Sequence, residues 1–190
     1  MLRPQQLAIY KGVQYGSVAG ILATWSISTL IAASELELGL PMSTFYSIMG
    51  MSLGVEDFVA AAYVGFGLHI LTGTLIGAAI GLASVRWLRI MMNPYKATIA
   101  GVAAGIAVWA VLFVPVTVLL VGPSMDRIVS LMPQGLQETM LSGNASQFVS
   151  GIAISAVVFH MVWGAIFGYI ASSLIRINAR RAKSLGGVGN

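Results

Sequence analysis

The chain is expected to be an all-α integral membrane protein with four transmembrane helices, and three observations lead there. Of its 190 residues 57% are hydrophobic and 8% charged, with a mean hydropathy of +0.88, too few charges to cover a water-soluble globule. Four apolar runs reach the roughly 20 residues a helix needs to cross a hydrocarbon core. The runs are continuously apolar instead of alternating, which excludes a sheet barrel.

The expected spans are Gly12 to Ala33, Phe58 to Val85, Ala97 to Val121 and Phe148 to Ile175. The second and fourth would be about 42 Å long at 1.5 Å per residue, so each tilts or projects beyond the core. Arg3, Lys11, Arg86, Arg89, Lys96, Arg176, Arg180, Arg181 and Lys183 fall on the N-terminus, the connection between spans two and three, and the C-terminal tail. All those segments share one side of a four-span chain. Positively charged segments stay cytoplasmic, so both termini are expected inside, in the plasma (inner) membrane. The opposite connections hold all six acids and one base, Arg127. The net charge of +4 is therefore a topology signal, not a nucleic-acid footprint.

The chain reads as one membrane domain over residues 1–190 with an internal duplication. Tyr10-Lys11, Gly16 and Ala19-Gly20-Ile21 recur 85 residues later as Tyr95-Lys96, Gly101 and Ala104-Gly105-Ile106. His69, Gly73 and Gly77 recur 91 residues later as His160, Gly164 and Gly168, with Gly65 opposite Ala156 and Gly81 opposite Ser172. Repeat one covers 10–94 and repeat two 95–176, leaving 177–190 as a basic, disordered cytoplasmic tail. Two spans per repeat preserve orientation, so the repeats are parallel, related by an axis along the membrane normal. Because the first span has a counterpart in the third, it reads as a retained helix and not a signal peptide.

Glycines four apart lie on one helix face and admit a neighbouring backbone. Gly16, Gly20, Gly73, Gly77, Gly81, Gly101, Gly105, Gly164 and Gly168 are thus expected to pack a tight bundle. Pro115 is expected to kink the third span. Ser26, Ser28 and Thr29 are candidates for cross-helix hydrogen bonds.

His69 and His160 fall near mid-membrane, where polar groups are expensive and are candidates for function. They form the candidate cofactor site: bis-histidine haem, with the adjacent glycines leaving room for the macrocycle, or a two-nitrogen copper site. The alternative is that each ring hydrogen-bonds a neighbouring helix and fixes packing, with no cofactor bound. The outer connections carry Met42, Met49, Met51, Met125, Met132 and Met140, six of the ten methionines. Pro41, Pro123 and Pro133 frame short interfacial helices there, burying Phe45 and Ile128, with Met42, Met49, Met125 and Met132 as a contact surface for partners. Asn144-Ala145-Ser146 is formally a glycosylation sequon. The sequence has no cysteine and no P-loop, dinucleotide fingerprint, nucleophile elbow or zinc-protease signature, so no catalytic residue is assigned.

In its two His-x3-Gly-x3-Gly spans, His69-Gly73-Gly77 and His160-Gly164-Gly168, the chain resembles small prokaryotic four-span membrane proteins, some associated with respiratory oxidases. With its Met-rich outer connections it is also similar to accessory membrane subunits of archaeal ammonia monooxygenase complexes, although the catalytic subunits' cluster of carboxylates and histidines is missing. The resemblance implies a non-catalytic accessory subunit of a larger oxidase or monooxygenase complex, with lipid and other membrane subunits as partners. A small haem- or copper-binding protein and a small channel or carrier are the alternatives.

Overall fold

The computed structural model describes residues 3–141 and 145–186, and every regular element among them is helical. In chain order these are α1 (Pro4–Glu37), α2 (Thr44–Ser52), α3 (Phe58–Ser84), α4 (Leu88–Met91), α5 (Pro94–Val108), α6 (Val114–Val116), α7 (Gly122–Leu131), α8 (Gln134–Leu141) and α9 (Ala145–Gly186). A 3-10 turn at Val85–Trp87 joins α3 to α4, and π-helical turns at Trp109–Phe113 and Thr117–Val121 flank α6. Four stretches are long and apolar enough to cross a membrane: Gln6–Glu37, Phe58–Met91, Pro94–Leu131 and Ile154–Ala182. The four expected spans are present and mostly longer than their apolar cores. Helix propagation needs no apolar side chains once the interior of the span is helical, so α1 extends to polar residues at both ends.

Two expectations change here. Helix α9 continues to Gly186, so residues 177–186, expected to be disordered, are helical; residues 187–190 lie outside the described residues. The irregularity expected at Pro115 takes the form of widened turns on both sides of it. Having no N–H of its own to give, Pro115 sits between wide turns in which the Val114 N–H reaches the Trp109 carbonyl and the Gly122 N–H reaches that of Thr117. Asn144 of the sequon also falls outside the described residues.

The chain divides into two compact units. One comprises Met1–Trp25, Leu71–Gly105 and Met161–Asn190, and glycine dominates its packing. A Cβ on Gly77 would stand 2.5 Å from the Gly16 carbonyl oxygen and 2.8 Å from the Gly20 Cα. A Cβ on Gly16, Gly20 or Gly81 would likewise strike backbone, at Gly77, Gly73 and Gly12 respectively, and one on Gly73 would strike Thr24. The second pair of helices meets the same way, with Gly101 against Gly164, Gly105 beside Gly164, and Gly168 against Ala97. A Cβ would strike backbone at seven of the nine ladder glycines and the Thr24 side chain at Gly73, while the Gly105 nitrogen itself lies 3.2 Å from the place of a Cβ on Gly164. The pairs are tied together by the buried Trp163 indole, which donates from Nε1 to Thr24 Oγ1 at 2.9 Å. Ser172 Oγ donates to the Met91 carbonyl at 2.6 Å and Lys11 Nζ to Asn178 Oδ1 at 3.2 Å. In the Ser26 to Thr29 cluster, Thr29 Oγ1 donates back to the Ser26 carbonyl of its own helix, while Ser28 lies beside the Tyr46 phenol on α2.

The other unit, Ser26–Ile70 and Ile106–His160, has a conventional apolar core. Leu40, Ile48, Met51, Ala61, Val121, Met125, Ile128, Val129, Met132 and Leu136 are buried together. Helix α2 lies on α3 backbone to backbone, because Gly50 faces the Ala61 carbonyl and Gly65 the Tyr46 carbonyl. Its start is fixed by Glu35. The two carboxyl oxygens of this buried residue accept the Ser43 and Phe45 N–H groups, each at 2.7 Å. Ser43 has φ 74°, a left-handed conformation costing a non-glycine residue about 1 kcal/mol, and the Glu35 bond holds it there.

Two outcomes follow for thermal unfolding in detergent. Gly77→Ala is expected to lose about 1–3 kcal/mol by forcing backbones apart, whereas Gly67→Ala, inside α3 where an added Cβ meets nothing within 4 Å, is expected to gain up to about 1 kcal/mol from helix propensity. Glu35→Ala strands two buried donors and costs about 2–4 kcal/mol; Glu35→Gln, with one acceptor oxygen, falls between.

Candidate functional site

Both histidines belong to the apolar-cored unit, His69 on α3 and His160 on α9. Their surroundings follow from backbone packing one turn away. Gly65 lets the Tyr46 main chain rest on α3, and His69, four residues on, meets the Tyr46 ring with centroids 5.4 Å apart and planes at 49°. Ala156 is buried, and its carbonyl is 2.7 Å from Nδ1 of His160, four residues on. That contact requires Nδ1 to carry the proton, which leaves Nε2 as the nitrogen with a lone pair. Phe113, from the wide turn before Pro115, packs on the His160 ring at 5.1 Å.

The aromatic groups form one continuous set. Tyr46 lies edge-on to Phe66 and to Phe45, each at 5.4 Å, and Phe45 stacks on Phe113 at 6.4 Å. The two imidazoles sit at opposite ends of this set, His69 against Tyr46 and His160 against Phe113. Both predicted site residues thus border one aromatic series within the same unit. Nε2 of His69 is inaccessible and has no hydrogen-bond partner among the described residues.

The expected room for a macrocycle is not where the sequence suggested. Gly73 and Gly77 face Thr24, Gly16 and Gly20, while Gly164 and Gly168 face Gly101 and Ala97, so neighbouring helices occupy the space. The histidines do not fit haem on those faces. No group of three or more His, Asp or Glu side chains able to hold a metal occurs among the described residues.

The methionines are redistributed as well. Met125 and Met132 are buried, so they are core and not a contact surface; amphipathic α7 turns both inward with Ile128 and Val129. Met42 is exposed and Met49 half-buried. Met49 and Met125 line an apolar cavity of about 50 Å³ with Phe45, Phe113 and Thr117, among others. Met51 is fully buried, and the Met140 side chain lies outside the described residues. Arg127 pairs with Glu56 at 3.2 Å on the surface, a contact worth little in stability.

Sequence reasoning missed Tyr46, Glu35, Gly50, Trp163 and Thr24. A tyrosine following Pro41 on a short helix, and glycines at 50 and 65 without a four-residue ladder, give no periodic signal. Comparison of the chain with known protein families, curated proteins and solved structures finds no match.

The Tyr46 phenol is pushed up to about 12, first by burial; the nearby Ser28 hydroxyl pulls it down and the Glu35 carboxyl adds to the rise. An unfolded tyrosine gives up its proton near 10. Between about pH 10 and 12 the unfolded chain thus binds fewer protons than the folded one, and stability falls as pH rises, by about 3 kcal/mol. Absorbance at the phenolate band should resolve one of the six tyrosines ionising late or only on unfolding. Tyr46→Phe is expected to remove that phase and flatten the alkaline loss of stability.

Proposed function

We propose that the protein is a non-catalytic subunit of a larger membrane complex, of the oxidase or monooxygenase type, and that the span from Pro94 to Leu131 faces its partner. The carrying observation is a mismatch. This span has the highest mean hydropathy of the four, 2.5, and the smallest buried share, 17% of its most apolar window. It also holds both π-helical stretches, with Val111, Val118 and Leu119 exposed at 69%, 57% and 75%. Lipid solvates side chains well but leaves backbone groups to be satisfied internally, so irregular backbone is favoured where protein covers it. Wide turns are rare and gather at functional surfaces.

The finer architecture belongs to the same reading. Gly16 faces Gly77, and its counterpart Gly101 faces Gly164 and Gly168, the counterparts of Gly73 and Gly77, which supports two parallel repeats. The basic ends support a plasma membrane protein with both termini in the cytoplasm and α2, α7 and α8 at the opposite interface. Exposed Met42 lies ahead of α2 as a partner contact.

A photo-crosslinking residue placed at Leu119 is expected to capture a membrane protein that co-purifies in fixed proportion in mild detergent. The same residue at Leu75, 60% exposed on α3, should capture lipid. Lipid adducts at both positions, with the protein migrating as a monomer or homodimer, would overturn the proposal.

A further inference from the structure

We propose that the basic end of the glycine-rich unit binds the headgroup of an anionic phospholipid, along the seam between α9 and the connection from α3 to α5. The site stands apart from the docking surface proposed above. Every Lys and Arg except Arg127 falls in this unit, and none of the six Asp and Glu does. Topology accounts for cations collecting on one side of a membrane. It does not account for their being carried on packed elements with no Asp or Glu in the unit to neutralise them.

A hydrogen bond sets the seam. Ser172 Oγ donates to the Met91 carbonyl at 2.6 Å, which fixes one face of α9 against the turn that carries Arg89. Arg176 and Arg180, one and two turns further on, continue that face where α9 runs on to Gly186. Arg176 is half-buried, so part of its side chain lies against protein, while Arg89 and Arg180 are exposed. On another face of α9, Lys11 Nζ donates to Asn178 Oδ1 at 3.2 Å, so α1 adds a further cation and no anion. Guanidinium groups present paired N–H donors that match phosphate oxygens, and the seam carries three of them.

The neighbouring side chains select lipid as the source of the phosphate. Trp87, Leu88 and Ile90, set among Arg86 and Arg89, are exposed at 62%, 47% and 37%. Facing water, such a connection would hold bulky apolar groups with nothing to cover them. At the headgroup level of a bilayer the indole and aliphatic groups enter the acyl boundary and the arginines reach outward. A basic seam with an apolar rim fits a phosphate that carries acyl chains, whereas a free phosphate or a nucleic acid leaves the rim uncovered.

The test is a titration of the purified full chain, in a neutral detergent, with phosphatidylglycerol and with phosphatidylcholine of the same acyl chains, read by native mass spectrometry. The wild type is expected to bind one phosphatidylglycerol about tenfold more tightly than phosphatidylcholine, a preference that shrinks as salt is raised. Arg176→Gln and Arg180→Gln are each expected to weaken phosphatidylglycerol about fivefold and leave phosphatidylcholine unchanged. Arg127→Gln, which removes the same charge from the other unit, is expected to match the wild type. The comparison of lipids on the wild type needs no variant to fold. Equal affinity for the two lipids, or arginine variants that behave like Arg127→Gln, would overturn the proposal. So would displacement of phosphatidylglycerol by an equal concentration of inorganic phosphate or of a single-stranded oligonucleotide.

Discussion

Everything in the glycine-rich unit depends on backbones touching backbones. Where Gly16 meets Gly77 and Gly101 meets Gly164, the helices are spaced by main-chain atoms alone. Lipid tails are as apolar as leucine, so no hydrophobic gain drives such helices together; dispersion contacts and weak carbonyl interactions at short range do. That attraction falls steeply with distance, which makes a single methyl at these positions more disruptive than a large change on a lipid-facing side.

Polar groups then fix what dispersion leaves open. Close-packed smooth faces can slide or rotate, and the Trp163 bond to Thr24 and the Ser172 bond to Met91 remove that freedom. In the other unit Glu35 does the equivalent for α2 by gripping the two N–H groups at its start. A carboxyl so near a span is tolerable because both oxygens are engaged.

The four spans and the nine ladder glycines were legible in the sequence because hydropathy and a four-residue spacing report directly on burial in lipid and on helix faces. The matching offsets singled out the two histidines as a pair, but not the rings beside them, Tyr46 for His69 and Phe113 for His160. The glycines next to them looked like open space, since a missing side chain reads the same whether a cofactor or another helix fills the gap. Met125 and Met132 looked like surface because they sit in a polar connection; the rotation of α7, set by Ile128 and Val129 packing on α2, turned them inward. Tyr46 and Glu35 were invisible for a related reason. Their roles come from a left-handed turn at Ser43 and a backbone contact at Gly65, neither of which leaves a periodic trace.

The seating of α2 on Gly65 has a mechanical consequence. The main chain of Tyr46 bears on α3 one turn before His69, and the same residue's ring bears on the imidazole itself. Helix α2 and the His69 ring are thus linked through one residue, Tyr46, whose main chain rests on Gly65 and whose ring meets the imidazole. A shift in the grip of Glu35 on the first turn of α2 would therefore bear on the His69 imidazole through Tyr46.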